Sequence, residues 1–168
     1  MSRGVRSAVI LFGTAAGALA VDRVSKLIVE HTLEGRPPVT LIPHVLDLRF
    51  TTNSGGAFSL GESAPWVFVG ASVVVSALIM VTAFRHSTAL TSVALGLILG
   101  GALGNLTDRM VRGPRLTGHV VDFIDFHVWP VFNAADSAIV IGAVLLAVST
   151  VGADRRVEDQ RDDPPHGA

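Results

Sequence analysis

Long apolar segments constrain this chain more than any other feature. Segments 65–84 and 87–107 contain no charged side chain, and 131–151 is interrupted only by Asp136. Roughly 20 helical residues cross a bilayer core that is about 30 Å thick. A charged fraction of 16% and a mean hydropathy of +0.54 are also far from the balance of a soluble domain. The sequence therefore predicts a small polytopic membrane protein.

The first apolar segment, 7–33, allows two interpretations. It passes through Ala18-Leu19-Ala20, which fits the Ala-x-Ala cleavage site of a secretory signal. However, the apolar pattern resumes after that site, and Asp22 and Lys26 lie four residues apart, where they can pair on one helical face. We therefore expect an uncleaved first helix that carries Asp22 and Lys26 as a structural polar pair.

Four spans place both termini on one side of the membrane, and the two long loops, 34–64 and 108–130, on the other. Arginines lie on both sides, so charge alone orients the chain weakly. We expect both termini in the cytoplasm, because the long loops hold the candidate functional residues. The chain is predicted to be one domain over 1–152, followed by a disordered cytoplasmic tail over 153–168.

Part of the first long loop has the pattern of β-structure. Val39–Ile42 and Leu46–Phe50 are typical of short strands, and the second alternates with period two. The glycines at 55 and 56 then permit a tight turn. The predicted fold is a membrane all-α protein, a four-transmembrane-helix bundle with a small extracytoplasmic β-sheet, or cradle, on the outer membrane surface.

Two carboxylates lie where apolar segments end or begin. Asp122 precedes the last span and Asp136 lies at its start. Ionisable groups at such depths are costly and are functional candidates by default. Two adjacent carboxylates that share a proton are the catalytic groups that an aspartic hydrolase requires. Asp125 is an equal candidate by chemistry alone, and Asn133 with Asp136 also has the spacing of a helix capping box.

Other patterns favour packing and exclude several classes of function. Gly96, Gly100 and Gly104 repeat every four residues, which is typical of close helix packing. His119 and His127 flank Asp122, but the chain lacks a His-Glu-x-x-His signature, so no metal is expected. The absence of cysteine removes thiolate chemistry. A net charge of −1 gives no reason to expect a nucleic-acid partner.

Five motifs together resemble bacterial lipoprotein signal peptidase (signal peptidase II), and the likeness covers residues 7–150. One position departs from the family pattern, since Gly56 stands where alanine is common. The matching motifs are Asp22-Arg-Val-Ser-Lys26, Asn53-Ser-Gly-Gly-Ala-Phe-Ser59, Gly100-Gly-Ala-Leu-Gly-Asn-Leu-Thr-Asp-Arg109, Gly118-His-Val-Val-Asp-Phe-Ile-Asp-Phe126 and Phe132-Asn-Ala-Ala-Asp-Ser137.

The resemblance implies an intramembrane aspartic endopeptidase of the bacterial cell membrane. Such an enzyme removes the signal peptide of a prolipoprotein by cutting before a diacylglyceryl-modified cysteine, and it needs no cofactor. By this likeness Asp122 and Asp136 are the catalytic pair near the extracytoplasmic face, and the protein is expected to be a monomer in the bilayer. The positions that correspond to residues orienting the pair or holding substrate are Asn53, Gly55, Asn105, Arg109 and Asn133.

The alternative is a small proton- or ion-coupled transporter, because intramembrane aspartates also mark proton relays. Transporters usually show internal repeats with interrupted helices at the midplane. In this chain the polar residues cluster towards one interface and no halves repeat, so the sequence favours the peptidase.

Overall fold

The structure is a computed structural model that describes residues 2–54, 65–85, 87–116 and 118–162. Within these ranges the chain forms four helices, three strands and one turn of 3₁₀ helix. In chain order they are α1 (Arg3–Leu33), β1 (Val39–Ile42), β2 (Leu46–Asn53), α2 (Pro65–Thr82), α3 (Ala89–Val111), the 3₁₀ turn (Pro114–Leu116), β3 (Val120–Asp125) and α4 (Ala134–Asp162).

The four helices differ in how clearly they qualify as membrane spans. Two of them, α1 with 31 residues and α3 with 23, are long and apolar enough to cross a bilayer. The apolar stretches Trp66–Thr82 and Ala134–Thr150 are shorter. Large apolar side chains face outward, including Leu78 and Val81 on α2.

Helix α3 is the centre of the bundle and packs against the other three helices. Its glycines allow α1 to approach closely, which agrees with the packing stripe predicted from the sequence. A methyl group added to Gly96, Gly100 or Gly104 would collide with α1, because it would lie 2.5 Å from Leu11 O, Ala15 O or Asp22 Oδ2, respectively. A buried apolar cluster of Leu11, Ala15, Ile79, Ala83 and Leu99 fills this part of the bundle.

The small sheet is antiparallel with the order β1-β2-β3, which confirms the predicted β-structure and adds a strand. The β2–β3 register pairs Asn53 with Val120 and Thr51 with Asp122. Phe123 of β3 packs with Val29 of α1, which ties the sheet to the helices. Strand β3 was not predicted from the sequence, since its short apolar run lacks the period-two pattern of a half-buried strand.

The helix bounds differ from the predicted spans at several ends. Helix α1 begins at Arg3 and runs unbroken past Ala18-Leu19-Ala20, while α3 continues to Val111. Helix α4 continues to Asp162, into the segment expected to be a disordered tail. Residues 163–168 lie outside the described part of the chain.

Candidate active site

Asp122 lies on β3 and is almost fully buried. Each of its carboxylate oxygens accepts a hydrogen bond from an asparagine amide. Asn53 Nδ2, at the end of β2, donates to Oδ2 over 3.0 Å, and Asn133 Nδ2 donates to Oδ1 over 2.6 Å. The pairing of β2 with β3 brings Asn53 to Asp122, because it places the end of one strand beside the start of the other.

Asp136 lies in the first turn of α4 and forms a capping box with Asn133. Asn133 Oδ1 accepts from the Asp136 backbone N–H over 2.9 Å, and Asp136 Oδ2 accepts from the Asn133 backbone N–H over 3.2 Å. The structural role proposed for this spacing is therefore present. It coexists with the candidate functional role, since the cap fixes the direction of the Asp136 carboxylate.

Two asparagines connect the carboxylates. Asn133, which is fully buried, donates from its side chain to Asp122 and from its backbone to Asp136. Asn105 on α3 donates from Nδ2 to Asp136 Oδ1 over 2.8 Å, and its Oδ1 accepts from Asn133 Nδ2 over 3.2 Å. Three separate elements, β3, α3 and α4, thus hold Asp122 and Asp136 in one hydrogen-bonded network.

Lys26 of α1 links this network to a buried cluster of ion pairs. Its Nζ lies 2.9 Å from both Asp22 Oδ2 and Asp108 Oδ2 and donates to Asn105 Oδ1 over 3.0 Å. Lys26, Asp22 and Asp108 are all 0% exposed. Because the Asn105 oxygen accepts from Lys26, its amide nitrogen faces Asp136.

Most of the ion pairs around Asp108 were not predicted from the sequence. Arg23 and Arg112 both form ion pairs with Asp108 Oδ1. Arg112 also forms a bidentate salt bridge with Glu30, in which Nη1 donates to Oε1 over 2.5 Å and Nη2 donates to Oε2 over 2.9 Å. The only sequence signal was local, because Asp108 and Arg112 are four residues apart on a helix. Nothing in the sequence indicates that Glu30, 82 residues away, reaches Arg112.

Arg109 is buried and braces two backbone segments near the carboxylates. Its Nη1 donates to Ser54 O over 3.3 Å and to Gly118 O over 3.4 Å. These carbonyls lie next to Asn53 and shortly before β3, so Arg109 holds the two stretches of chain that lead to the Asn53–Asp122 contact. Gly55, the other candidate in this loop, lies outside the described residues.

A cleft of about 380 Å³ opens beside the two carboxylates. Its polar wall carries both aspartates with Asn53, Asn105 and Arg109, and its other walls are mostly apolar. Mixed linings of this kind are typical of binding clefts. The remaining lining residues are Phe68, Ala71, Ser72, Val120, Trp129, Pro130, Val131, Phe132, Ile139 and Val140.

The environment of Asp122 favours its protonated form. Burial and then the nearby charge of Asp136 raise the pKa of the Asp122 carboxyl to about 6, although the hydrogen bonds from Asn53 and Asn133 act in the opposite direction. A carboxyl that stays protonated beside an ionised partner can donate a proton while the partner accepts one.

Asp125 is held in a different group of side chains. Its Oδ2 lies 3.0 Å from Arg49 Nε, and its Oδ1 accepts from the His127 backbone N–H over 2.8 Å. Residues three apart on a strand point to opposite faces, so β3 separates Asp125 from Asp122. Asp122, and not Asp125, therefore lies beside Asp136, to which Asn133 connects it.

The fold and the site together define a class of protein. It is a membrane protein whose apolar helices surround a pair of neighbouring aspartates, Asp122 and Asp136. The comparisons with known proteins then identify the family. The model described as signal peptidase (SPase) II matches residues 14–152, and this chain belongs to that family of membrane-bound proteases.

Individual relatives and solved structures agree with this assignment. The chain is 42% identical over 145 residues to a lipoprotein signal peptidase of Rhodococcus jostii, covering 84% of this chain and 72% of that protein. It is 40% identical over 164 residues to one of Mycobacterium avium, covering 91% and 89%. A solved bacterial membrane enzyme shares 29% identity and a TM-score of 0.69, covering 83% of this chain and 91% of that one. A second structure, at 24% identity and a TM-score of 0.74 over 94% of each chain, supports the fold.

Proposed function

We propose that this protein removes signal peptides from bacterial prolipoproteins, cutting before a diacylglyceryl-modified cysteine with water activated by Asp122 and Asp136. The observation that carries the proposal is the bridging of the buried Asp122 and the partly buried Asp136 by Asn133 beside a largely apolar cleft. Membership of the signal peptidase II family supplies the class of substrate. The transporter alternative finds no support among the relatives.

The proposed chemistry needs no group beyond the two carboxylates and water. Asp136 acts as the ionised base and takes a proton from water as the oxygen attacks the scissile carbonyl carbon. Asp122, whose pKa is raised to about 6, donates its proton to the carbonyl oxygen, which would otherwise gather negative charge.

Collapse of the tetrahedral intermediate completes the cycle. Asp136 passes the proton that it took from water to the leaving nitrogen as the carbon–nitrogen bond breaks. The protonated oxygen of the intermediate returns a proton to Asp122 as the new carboxylic acid forms. Both aspartates end in their starting states, and no covalent intermediate with the protein is formed.

The polar residues around the pair have two proposed tasks. Asn53, Asn105 and Asn133 fix the directions of the carboxylates, since each donates to at least one of them. Arg109 sits at the cleft and braces Ser54. Through Ser54 it holds the end of β2 beside the cleft. Gly55 follows directly in the sequence and is proposed to bind the substrate.

We further propose that all four helices span the membrane, with both termini in the cytoplasm and the aspartate pair near the extracytoplasmic face. The outward-facing apolar side chains of α2 and α4, including Leu78 and Val140, support four spans. In that arrangement the substrate's lipid stays in the bilayer while its peptide bond enters the cleft. Burial of apolar lipid stabilises such anchoring by about 0.8 kcal/mol per methylene.

The decisive test is cleavage of a diacylglyceryl-modified prolipoprotein by the purified protein in lipid vesicles. We expect a shortened product whose new amino terminus is the modified cysteine. The same precursor without its lipid is the matched control and should be a very poor substrate. Equal rates for both forms would contradict the proposed specificity.

A chelator added to the same assay tests the chemistry separately. Because the proposed water activation uses carboxylates alone, we expect cleavage to continue after exhaustive chelation. Loss of cleavage that zinc restores would overturn the two-aspartate mechanism while leaving the substrate assignment intact.

A further inference from the structure

The segment 126–132 joins the strand that carries Asp122 to the helix that carries Asp136, and it forms one wall of the cleft. Trp129 and Phe132 line the cleft directly. Two backbone hydrogen bonds join Phe132, at the end of the segment, to Ile124, just before its start. The Ile124 N–H donates to Phe132 O over 2.8 Å, and the Phe132 N–H donates to Ile124 O over 3.1 Å. Its conformation therefore sets the shape of the cleft.

The segment contains a strained turn centred on His127. The backbone φ of His127 is 61°, in the left-handed region, and the Val128 N–H donates to Phe126 O over 2.7 Å. A positive φ with a hydrogen bond between residues two apart is the pattern of a γ-turn of the rare, strained kind. Such a conformation persists in a residue other than glycine only where the surroundings hold it.

Charged groups from two strands hold this turn. Asp125 Oδ1 accepts from the His127 backbone N–H over 2.8 Å, and Asp47 Oδ2 lies 3.3 Å from His127 Nε2. Arg49 Nε lies 3.0 Å from Asp125 Oδ2 and fixes that carboxylate in turn. The antiparallel pairing of β2 with β3 aligns Asp47 with Asp125. We call Asp47, Asp125 and His127 the turn latch.

We propose that the turn latch positions the cleft wall formed by Trp129 and Phe132 for substrate binding. None of its residues is bonded to Asp122 or Asp136, so these are positioning residues rather than catalytic ones. The inference rests on the proposed function, because it concerns the cleft in which the prolipoprotein would bind. It also gives Asp125 a role that its closeness to Asp122 in the sequence did not suggest.

The test is a steady-state kinetic comparison on the diacylglyceryl-modified prolipoprotein. We expect Asp125→Ala to raise KM about five- to tenfold while kcat changes less than about twofold, because the wall contacts substrate in ground and transition states alike. Asp125→Asn keeps an oxygen for the His127 N–H and should recover part of the loss. A purely structural defect would lower the active fraction, and so kcat, at unchanged KM.

Substitutions at His127 distinguish the contribution of its imidazole from that of its strained backbone. Glycine adopts a positive φ at little cost and asparagine tolerates it, so His127→Gly and His127→Asn retain the turn but remove the ring that contacts Asp47. Both should raise KM as Asp125→Ala does. His44→Gly is the matched control, because His44 also has a positive φ, 64°, but lies in the β1–β2 turn.

Fluorescence of Trp129 reports the wall itself. The chain has two tryptophans, so Trp66→Phe leaves Trp129 alone. In that background Asp125→Ala and His127→Gly should change the emission maximum and the acrylamide quenching, and His44→Gly should change neither. Unchanged KM and unchanged emission in the latch variants of an enzyme that cleaves normally would overturn the latch. Failure of the unsubstituted enzyme to cleave would instead overturn the proposed function.

Discussion

Two groups of carboxylates lie side by side in this molecule, and their partners differ in kind. In the first group, Asp22 and Asp108 meet the ammonium of Lys26 at 2.9 Å. In the second, the hydrogen bonds to Asp122 and Asp136 come from amide groups of the three asparagines and from backbone N–H. Cations contact the carboxylates of the first group directly, whereas amide groups orient those of the second.

The difference explains how one small bundle combines stability with proton chemistry. A charge buried away from water is costly unless it is paired, and the first group meets that need with Lys26 and two arginines. A close cation favours the ionised form of a carboxyl, which would prevent Asp122 from holding a proton. Amide partners fix its geometry and allow the pKa of Asp122 to rise to about 6.

The largest expected effect is loss of cleavage when a carboxylate of the second group is replaced. Asp122→Asn and Asp136→Asn keep the shape of the side chain and remove one half of the proton-sharing pair, so cleavage should fall by about 10²–10⁴-fold or more. Both variants should still insert and elute as folded protein in detergent. Cleavage of the lipidated precursor and size-exclusion chromatography measure the two outcomes.

Asp125→Asn is the control for these variants, because Asp125 lies on the same strand and is also buried. Its effect should be far milder. Retained turnover in either member of the pair, or an inactive Asp125→Asn beside an active Asp122→Asn, would contradict the assignment of the pair.

The second prediction is a loss of folding stability when the first group loses its central cation. Lys26→Met leaves Asp22 without the ammonium that it contacts, and breaking a buried pair in this way costs about 3–5 kcal/mol of folding free energy. The thermal midpoint in detergent should fall strongly. Replacing Asp22 by Asn in the same chain should restore part of the loss.

An exposed cation supplies the comparison for Lys26. Arg36 lies on the surface just after α1, so Arg36→Met should change stability by less than about 0.5 kcal/mol. Equal midpoints for Lys26→Met and Arg36→Met would show that the ion-pair cluster does not stabilise the fold.

The two groups were not equally visible in the sequence. Asp22 and Lys26 stand four apart within one helix, so a local rule sufficed to pair them. Asp122 and Asp125 could not be ranked, because no strand was predicted from the sequence over Val120–Asp125. Once that strand is known, a separation of three residues places them on opposite faces, and the register with β2 brings Asn53 to one of them.

The hydrogen bonds that connect the two groups could not be predicted from the sequence, and the reason is physical. Lys26 and Asn105 are 79 residues apart, and their contact depends on how closely α1 approaches α3. Glycines at the interface predicted a close approach but not which polar side chains would meet there. A sequence can therefore indicate the site residues by type and motif, while packing decides which atom of Asn105 faces which neighbour.

The third prediction concerns Asn105, which connects the two groups of carboxylates by hydrogen bonds. Asn105→Leu removes both the oxygen that accepts from Lys26 and the nitrogen that donates to Asp136. Loss of orientation at a reacting group can cost about 100-fold in rate, so cleavage should fall by about 10- to 100-fold, less than in the aspartate variants. Single-turnover rates with saturating precursor measure this effect. A rate equal to that of the unsubstituted enzyme would mean that Asp136 is oriented without Asn105.

The smallest predicted effect is a shift in pH dependence. With Asp136 ionised, Asp122 holds the shared proton below about pH 6 and loses it as the pH rises through its pKa of about 6. The kcat/KM profile, which reports the free enzyme, should therefore fall on the alkaline side from about that pH. Asn53 donates to Asp122 and favours its ionised form, so Asn53→Ala should raise the pKa of Asp122 and move the falling limb to higher pH. Thr52→Ala, at the neighbouring exposed position, should leave the limb in place. A limb that moves to lower pH in Asn53→Ala would show that the titrating group is not the Asp122 carboxyl.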